Sequence, residues 1–69
     1  GDKCHDYIKL ALLHANNREP DRALLNFNKA IELDKDKEPM ILSLEAYALL
    51  AASRHREALA MAKRALASG

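Results

Sequence analysis

The chain contains one apolar pattern twice, as Ala23-Leu24-x2-Phe27-x2-Ala30-Ile31 and, 35 residues later, as Ala58-Leu59-x2-Ala62-x2-Ala65-Leu66. In both copies the apolar or small residues are spaced so that they lie on one face of an α-helix. A second amphipathic stretch precedes each copy at a constant distance, since Ala11 and Ala46 each lie 12 residues before the copy that follows. A helix-turn-helix unit that occurs twice predicts a short helical solenoid.

The size and composition favour one all-helical domain over residues 1–69. Hydrophobic residues make up 49% of the chain, which is enough for one small core. The net charge of +1 gives no overall field that would attract nucleic acid or an anionic membrane, and no uncharged run is long enough to cross a bilayer. Cys4 is the single cysteine, so no internal disulfide is expected, which favours the cytoplasm or another reducing compartment.

The apolar spacing predicts four helices, over about residues 3–15, 20–33, 39–52 and 55–67. Asp2 is the expected N-cap of the first helix, and Asn16-Asn17 supplies residues that tolerate a left-handed helix end. Pro20 and Pro39 stand where proline is tolerated, in the first turn of a helix. The charged residues 34–37 predict a solvated linker. The third helix is apolar on almost every side, so we expect it to be buried on every side.

Small residues at regular positions predict where the helices approach most closely. An alanine at a crossing point permits a short distance between two helix axes. The expected contact points are Ala11, Ala23, Ala30, Ala46, Ala58 and Ala65.

The first unit reads Tyr7-x2-Leu10-Ala11-x2-His14 and then Ala23-x3-Phe27-x2-Ala30, and the second reads Leu42-x2-Glu45-Ala46-x2-Leu49 and then Ala58-x3-Ala62-x2-Ala65. These motifs resemble two tetratricopeptide repeats. The second is less similar, because Glu45 replaces the usual leucine and Ala62 replaces the usual aromatic residue. The resemblance implies repeats at about 4–37 and 39–69, stacked as a right-handed α-solenoid of four helices. It also implies a protein-interaction scaffold that is not an enzyme and needs no cofactor.

The resemblance implies a concave partner-binding groove on the first helix of each repeat, lined by Ile8, Leu12, Ala15, Ser43, Tyr47 and Leu50. Family members that clamp a C-terminal carboxylate have Lys and Asn in this groove. Here apolar residues and Tyr47 occupy those positions, so a carboxylate-ended chaperone tail is not expected as the partner. An apolar groove suits an amphipathic helix or apolar peptide, with Tyr47 as the main anchor. An equally weighted alternative is that these residues pack against neighbouring helices of a longer array.

Two repeats leave the far side of the last two helices without a capping helix. We expect an exposed apolar patch there, formed by Leu44, Ala48, Ala51 and Met61. Such a patch would pair with a second copy, with a partner chain, or with a neighbouring repeat. We also expect the chain to be a piece of a longer protein, because Ser68-Gly69 ends where the second repeat ends.

Residues capable of other chemistry lack a supporting pattern. The spacing of Cys4, His5, His14 and His55 meets no zinc motif, and nothing indicates a base that would activate Cys4 as a nucleophile. We expect no metal, and we expect His14 to be a partly buried residue in place of an aromatic one.

The fourth helix is locally basic, which leaves a nucleic-acid-binding helical domain as a distant alternative. The basic residues are Arg54, His55, Arg56, Lys63 and Arg64. Binding to phosphates would weaken steeply with salt, whereas apolar burial would not, so salt dependence separates the two functions.

Overall fold

The computed structural model describes residues 2–68, with the backbone alone for Ser68, and these residues form four α-helices without any strand. The helices are α1 (Lys3–Asn16), α2 (Pro20–Leu33), α3 (Glu38–Ala51) and α4 (His55–Ser68). Each differs from its predicted bounds by no more than one residue at either end. The predicted all-helical class is therefore confirmed, while the predicted domain limits at residues 1 and 69 lie outside the described residues.

The helices pack as two hairpins. α1 lies along α2 to form the first hairpin, and α3 lies along α4 to form the second. α3 also packs against α2 and, over a smaller area, against α1. Ala11, Ala23 and Ala30 are fully buried, as expected of residues where helix axes approach closely.

One apolar core joins the two hairpins. It consists of Cys4, Ile8, Ala11, Ala23, Phe27, Ala30, Ile41 and Ala48. Phe27 is the largest fully buried side chain. Because Ile41 and Ala48 belong to α3, the second hairpin rests on the first through one face of this helix.

Both hairpin turns have the same backbone conformation. Arg18 and Ser53, which lie 35 residues apart, have φ angles of 61° and 63°. Each turn is closed by a 2.9 Å bond from a backbone N–H to the carbonyl five residues earlier, Glu19 to His14 and Arg54 to Leu49. This is the hydrogen bond of a Schellman motif, so the sequence repeat is also a repeat of backbone geometry.

The start of α1 confirms one predicted cap, and its end corrects a predicted turn residue. The Asp2 side chain accepts a hydrogen bond of 3.0 Å from the Cys4 N–H, as expected of an N-cap. The predicted left-handed residue at Asn16-Asn17 is wrong, because Asn17 has a φ of −90° and Arg18 takes the left-handed conformation. Helix α1 ends at Asn16, one residue later than expected, and the left-handed turn residue is also later in the sequence.

The charged linker is more ordered than predicted. Residues Lys35–Lys37 form a short 3-10 helix, which begins where the Asp34 side chain accepts a 3.1 Å hydrogen bond from the Asp36 N–H. Lys37 Nζ lies 3.3 Å from Asp2 Oδ2, so the linker also contacts the start of α1.

The prediction that α3 is buried on every side is wrong. Its inward faces contact the first hairpin and α4, and Ile41, Leu42 and Leu49 are fully buried there. The remaining face is exposed, with 70% of Tyr47 and 57% of Leu50 accessible to solvent. Among the described residues no helix covers this face, which is why an apolar helix is left partly exposed.

Candidate protein-binding groove

An apolar groove, called here the open groove, lies between the exposed face of α3 and the adjoining face of α4. Helix α3 lines it with Pro39, Met40, Ser43, Ala46, Tyr47 and Leu50. Helix α4 lines it with His55, Ala58, Leu59, Ala62, Ala65 and Leu66. The open groove consists of two adjoining cavities of about 550 and 470 Å³, which share Ala46 and Ala62.

The α3 wall of the open groove is a single stripe. Met40, Ser43, Tyr47 and Leu50 recur at intervals of three or four residues, which places them along one side of the helix. The Ser43 hydroxyl donates to the Pro39 carbonyl at 3.1 Å, so its proton is satisfied within the helix. Tyr47 combines a large ring with a polar tip, which suits a residue at a partly wet contact.

The α4 wall is also a stripe, and the floor is made of small residues. Leu59 and Leu66 are strongly exposed, Leu66 to 82%. Ala62 and Ala65 are half-buried between them and α3. The small floor residues leave space, and the exposed leucines form an edge beside it.

Charge lies at the edge of the open groove, on its α4 side. Lys63 is exposed and lies one helical turn from both Leu59 and Leu66. Arg56 is exposed one turn before Leu59. No Asp, Glu, Lys or Arg is among the described residues that line the open groove. The surface is therefore an apolar trough with a basic margin.

A buried acid lies on α3 outside the open groove. Glu45 is only 2% exposed, and among the described groups none donates a hydrogen bond to its Oε1. Burial raises the pKa of Glu45 to about 7, an effect that the Arg64 charge opposes and the Glu38 charge reinforces. Glu45 stands where the first repeat has the exposed Leu10.

The structure places the six predicted groove residues in three different environments. Ser43, Tyr47 and Leu50 line the open groove. Ile8 belongs to the apolar core, and Leu12 is exposed on α1. Ala15 is half-buried and lines a separate cavity of about 410 Å³ beside the hairpin turns. The three α3 residues are brought together, and the α1 residues are not part of the same surface.

The four residues of the predicted assembly patch are also divided. Ala48 is in the core and Leu44 packs against it, so both face the first hairpin. Ala51 is exposed and lines the cavity beside the turns. Met61 is half-buried, and its Sδ accepts a 3.5 Å hydrogen bond from Arg64. These residues do not form one continuous patch, and the exposed apolar surface lies at the open groove instead.

Sequence reasoning missed the α4 wall, although a signal for it was present. Leu59 and Leu66 belong to the repeated apolar pattern and correspond to Leu24 and Ile31, which are half-buried in the first repeat. The pattern marked both positions as apolar. The missing capping helix was expected, but the exposed patch on α4 was assigned to Met61 and not to Leu59 and Leu66.

The other chemistry-bearing residues have structural partners. His14 is partly buried, as predicted, with Nδ1 3.3 Å from Glu19 Oε1, and the buried Cys4 thiol donates to the Ala30 carbonyl at 3.3 Å. Within residues 2–68, no three His, Cys, Asp or Glu side chains are grouped so that they could hold a metal ion. In the same range no helix is long and apolar enough to cross a membrane. In comparisons with known proteins, no family model, curated protein or solved structure matches this chain.

Proposed function

We propose that this chain is a protein-interaction module that binds a helical segment of a partner protein in the open groove. The observation that carries the proposal is the groove itself, two adjoining apolar cavities between α3 and α4. Exposed apolar surfaces of this kind mark interaction sites, because leaving them in water is unfavourable.

The mode of binding follows from the shape and chemistry of the walls. An amphipathic helix lays its apolar face into an apolar groove and keeps its polar face in water. Tyr47 and Leu50 would contact it from α3, and Leu59 and Leu66 from α4. Burial of one such side chain contributes about 1.5–3 kcal/mol, so a few of them suffice for a specific complex. The proposal assigns no catalytic step to the chain.

The repeated hairpin supports a tetratricopeptide-like scaffold. The turns at Arg18 and Ser53 are equivalent in φ and in their closing hydrogen bonds, and buried alanines lie where the helices approach. We therefore propose a two-repeat scaffold of this type. A reducing intracellular compartment fits the buried, unpaired Cys4 thiol.

The same groove favours one alternative, assembly through a second copy of the chain. Two open grooves could meet in a symmetric dimer. Light scattering over a range of concentrations separates the two functions. A monomer at all concentrations supports capture of a partner, and a dimer that is lost on substitution of Leu59 by serine supports assembly.

The direct test is an NMR titration of the labelled chain with a panel of amphipathic helical peptides. Chemical-shift changes are expected at residues 39–50 and 55–66. The double variant Tyr47→Ala with Leu59→Ala should lose binding while circular dichroism stays helical. Its matched control is Leu12→Ala with Leu25→Ala, which also truncates two exposed apolar residues but lies on the first hairpin. Undiminished binding by the folded groove variant would refute the proposed site. Binding of an added oligonucleotide that weakens steeply with rising salt would instead favour a nucleic-acid-binding function.

A further inference from the structure

The open groove is the counterpart, in the second hairpin, of the surface that α3 covers on the first. Four core positions of the first hairpin, onto which α3 packs, have their counterparts 35 residues later in the lining of the open groove. The equivalent pairs are Ile8 and Ser43, Ala11 and Ala46, Phe27 and Ala62, and Ala30 and Ala65. The first hairpin therefore shows which kind of element this surface receives.

The element that it receives is one helix in a defined register. Ile41 and Ala48 of α3 enter the core of the first hairpin, and Leu44 packs against it. Their spacing is bulky, bulky and small at positions 0, 3 and 7 of one helical face. A helix with the same spacing would occupy the equivalent place in the open groove.

The open groove is not an exact copy of the surface that α3 covers, because two of its lining residues have smaller side chains. The fully buried Phe27 is replaced by Ala62, and Ile8 is replaced by Ser43. The space left is part of the 550 Å³ cavity. Protein interfaces are packed closely and do not keep such space empty, so the occupant must fill it with a larger side chain than α3 supplies.

The position of this larger side chain follows from the geometry of the first hairpin. Ala48 lines the cavity at the hairpin turn together with Ala15 and Pro20. Seven residues, or about two helical turns, separate Ala15 from Ile8, Pro20 from Phe27 and Ala48 from Ile41. In each helix this step leads away from the turn, toward the other end of the hairpin. Ile41 is therefore level with Ile8 and Phe27, the two residues that smaller ones replace in the open groove. Because Ile41 is position 0 of the helical face, the enlarged space lies opposite position 0 of the occupant.

A second copy of the chain fits this role poorly. The α1 residues equivalent to Ile41 and Leu44 are Asp6 and Lys9, which are exposed and charged. Placing them in the open groove would remove two charges from water without a partner. The face of α3 that carries Ile41, Leu44 and Ala48 is already covered, in each copy, by that copy's own first hairpin. Neither α1 nor α3 of a second copy therefore fits, and the basic margin of Lys63 and Arg56 favours a partner helix with acidic residues along one edge.

We propose that the open groove binds one amphipathic partner helix with an aromatic residue at position 0, an aliphatic residue at position 3, a small residue at position 7 and an acidic edge. This rests on the proposed function and specifies the partner. Relative to α3 itself, the change is an aromatic side chain in place of Ile41.

The test compares two synthetic helical peptides that differ at one residue. Both carry Leu at position 3, Ala at position 7 and glutamates along one edge, and position 0 is Phe in one and Ile in the other. Fluorescence anisotropy measures their affinities for the intact chain. The Phe peptide should bind at least about tenfold more tightly, since it buries more apolar surface in the enlarged cavity.

A variant of the chain makes the test reciprocal. Ala62→Phe gives the open groove the aromatic side chain that Phe27 supplies in the first hairpin. The preference for the Phe peptide should then disappear or reverse, while the Ile peptide still binds. The control Ala60→Phe adds the same ring at an exposed position of α4 that does not line the open groove, and it should leave the preference unchanged. Equal affinities for the two peptides would overturn the inference and leave the proposed function standing.

Two further outcomes would also overturn the inference. Absence of binding by both peptides would do so, and the peptide panel with the Tyr47→Ala and Leu59→Ala variant would then decide the proposed function separately. A dimer that the peptides dissociate would show that a second copy is the occupant.

Discussion

Arg54 Nη1 lies 2.6 Å from Asp21 Oδ1 and so joins the start of α4 to the first turn of α2. The same guanidinium donates to both carboxylate oxygens of Glu57, at 2.8 and 2.7 Å. These bonds raise the pKa of Arg54 and lower the pKa of Glu57. The two hairpins are thus linked by the Arg54–Asp21 ion pair as well as by the apolar core, and the bidentate contact with Glu57 holds the Arg54 guanidinium in place.

Replacing Arg54 by lysine should reduce stability although the charge is kept. An ammonium group cannot make the two parallel bonds to Glu57, so the free energy of unfolding is expected to fall. Urea denaturation at low salt measures this. The control is Arg22→Lys, whose native contact with Glu19 is a single pair at 3.3 Å and which should change little. Equal midpoints for both variants would show that the bidentate geometry adds nothing measurable.

Glu45 should make the protein less stable as the pH rises from about 4.5 to 7. The folded-state pKa is about 7 and the ordinary pKa of this carboxyl group is 4.5, so the folded state favours the neutral acid. Its stabilising contribution is fully present below pH 4.5 and is lost as the pH rises through 7. The loss is expected to be about 2–3 kcal/mol, relative to a variant that cannot titrate.

The measurement for Glu45 is a difference between two denaturation series across this pH range. In Glu45→Gln the side chain keeps its size but has no titration, so subtracting its stability isolates the carboxyl group from other acids such as Asp2, whose pKa is lowered by Lys37. Glu45→Leu restores the residue type of Leu10 in the first repeat and should be the most stable of the three at pH 8. A constant difference from pH 4 to 8 would contradict the assigned pKa. The exposed Glu32→Gln is the control.

Ala23 should not tolerate a larger side chain. It is fully buried where α1 and α2 approach, so Ala23→Leu overpacks the first hairpin and is expected to cost about 1–3 kcal/mol in thermal or urea unfolding. Ala60→Leu makes the same chemical change on the exposed face of α4 and should be nearly neutral. Comparable losses in both variants would argue against close axial packing at Ala23.

Replacing Ser53 by glycine should make the protein more stable. Its φ of 63° is unfavourable for a residue with a Cβ atom, so Ser53→Gly is expected to raise the free energy of unfolding by about 0.5–1 kcal/mol. Asn17→Gly serves as the control because Asn17 has a φ of −90°, where glycine brings no conformational gain. Thermal denaturation of both variants separates the two cases, and a less stable Ser53→Gly would contradict the left-handed turn.

The helices were predictable because their signals are local. Proline in the first turn, the Asp2 cap and the recurrence of alanines each act within a few residues, and the observed helix bounds follow them closely. The fully buried Ala11, Ala23 and Ala30 were also foreseeable, since their spacing is that of one helical face.

The site could be predicted only in part, because exposure depends on which neighbours a helix has. Tyr47 and Leu50 were assigned to a groove by the resemblance to tetratricopeptide repeats, and both lie on the exposed side of α3. The resemblance could not tell that Ile8 faces the core, and the uncovered side expected of the last two helices was not assigned to Leu66. Glu45 was visible as a departure from the usual leucine, yet its burial depends on contacts between elements far apart in sequence.

The hairpin arrangement also bears on how the chain reaches this structure. Each helix packs most extensively on its neighbour in sequence, α1 on α2 and α3 on α4, so few contacts have to close a long loop before they form. Low contact order of this kind is associated with folding in microseconds to milliseconds. During synthesis, residues 3–33 can therefore form a hairpin before α4 has been made, and α3 finds a surface ready to receive it as it emerges.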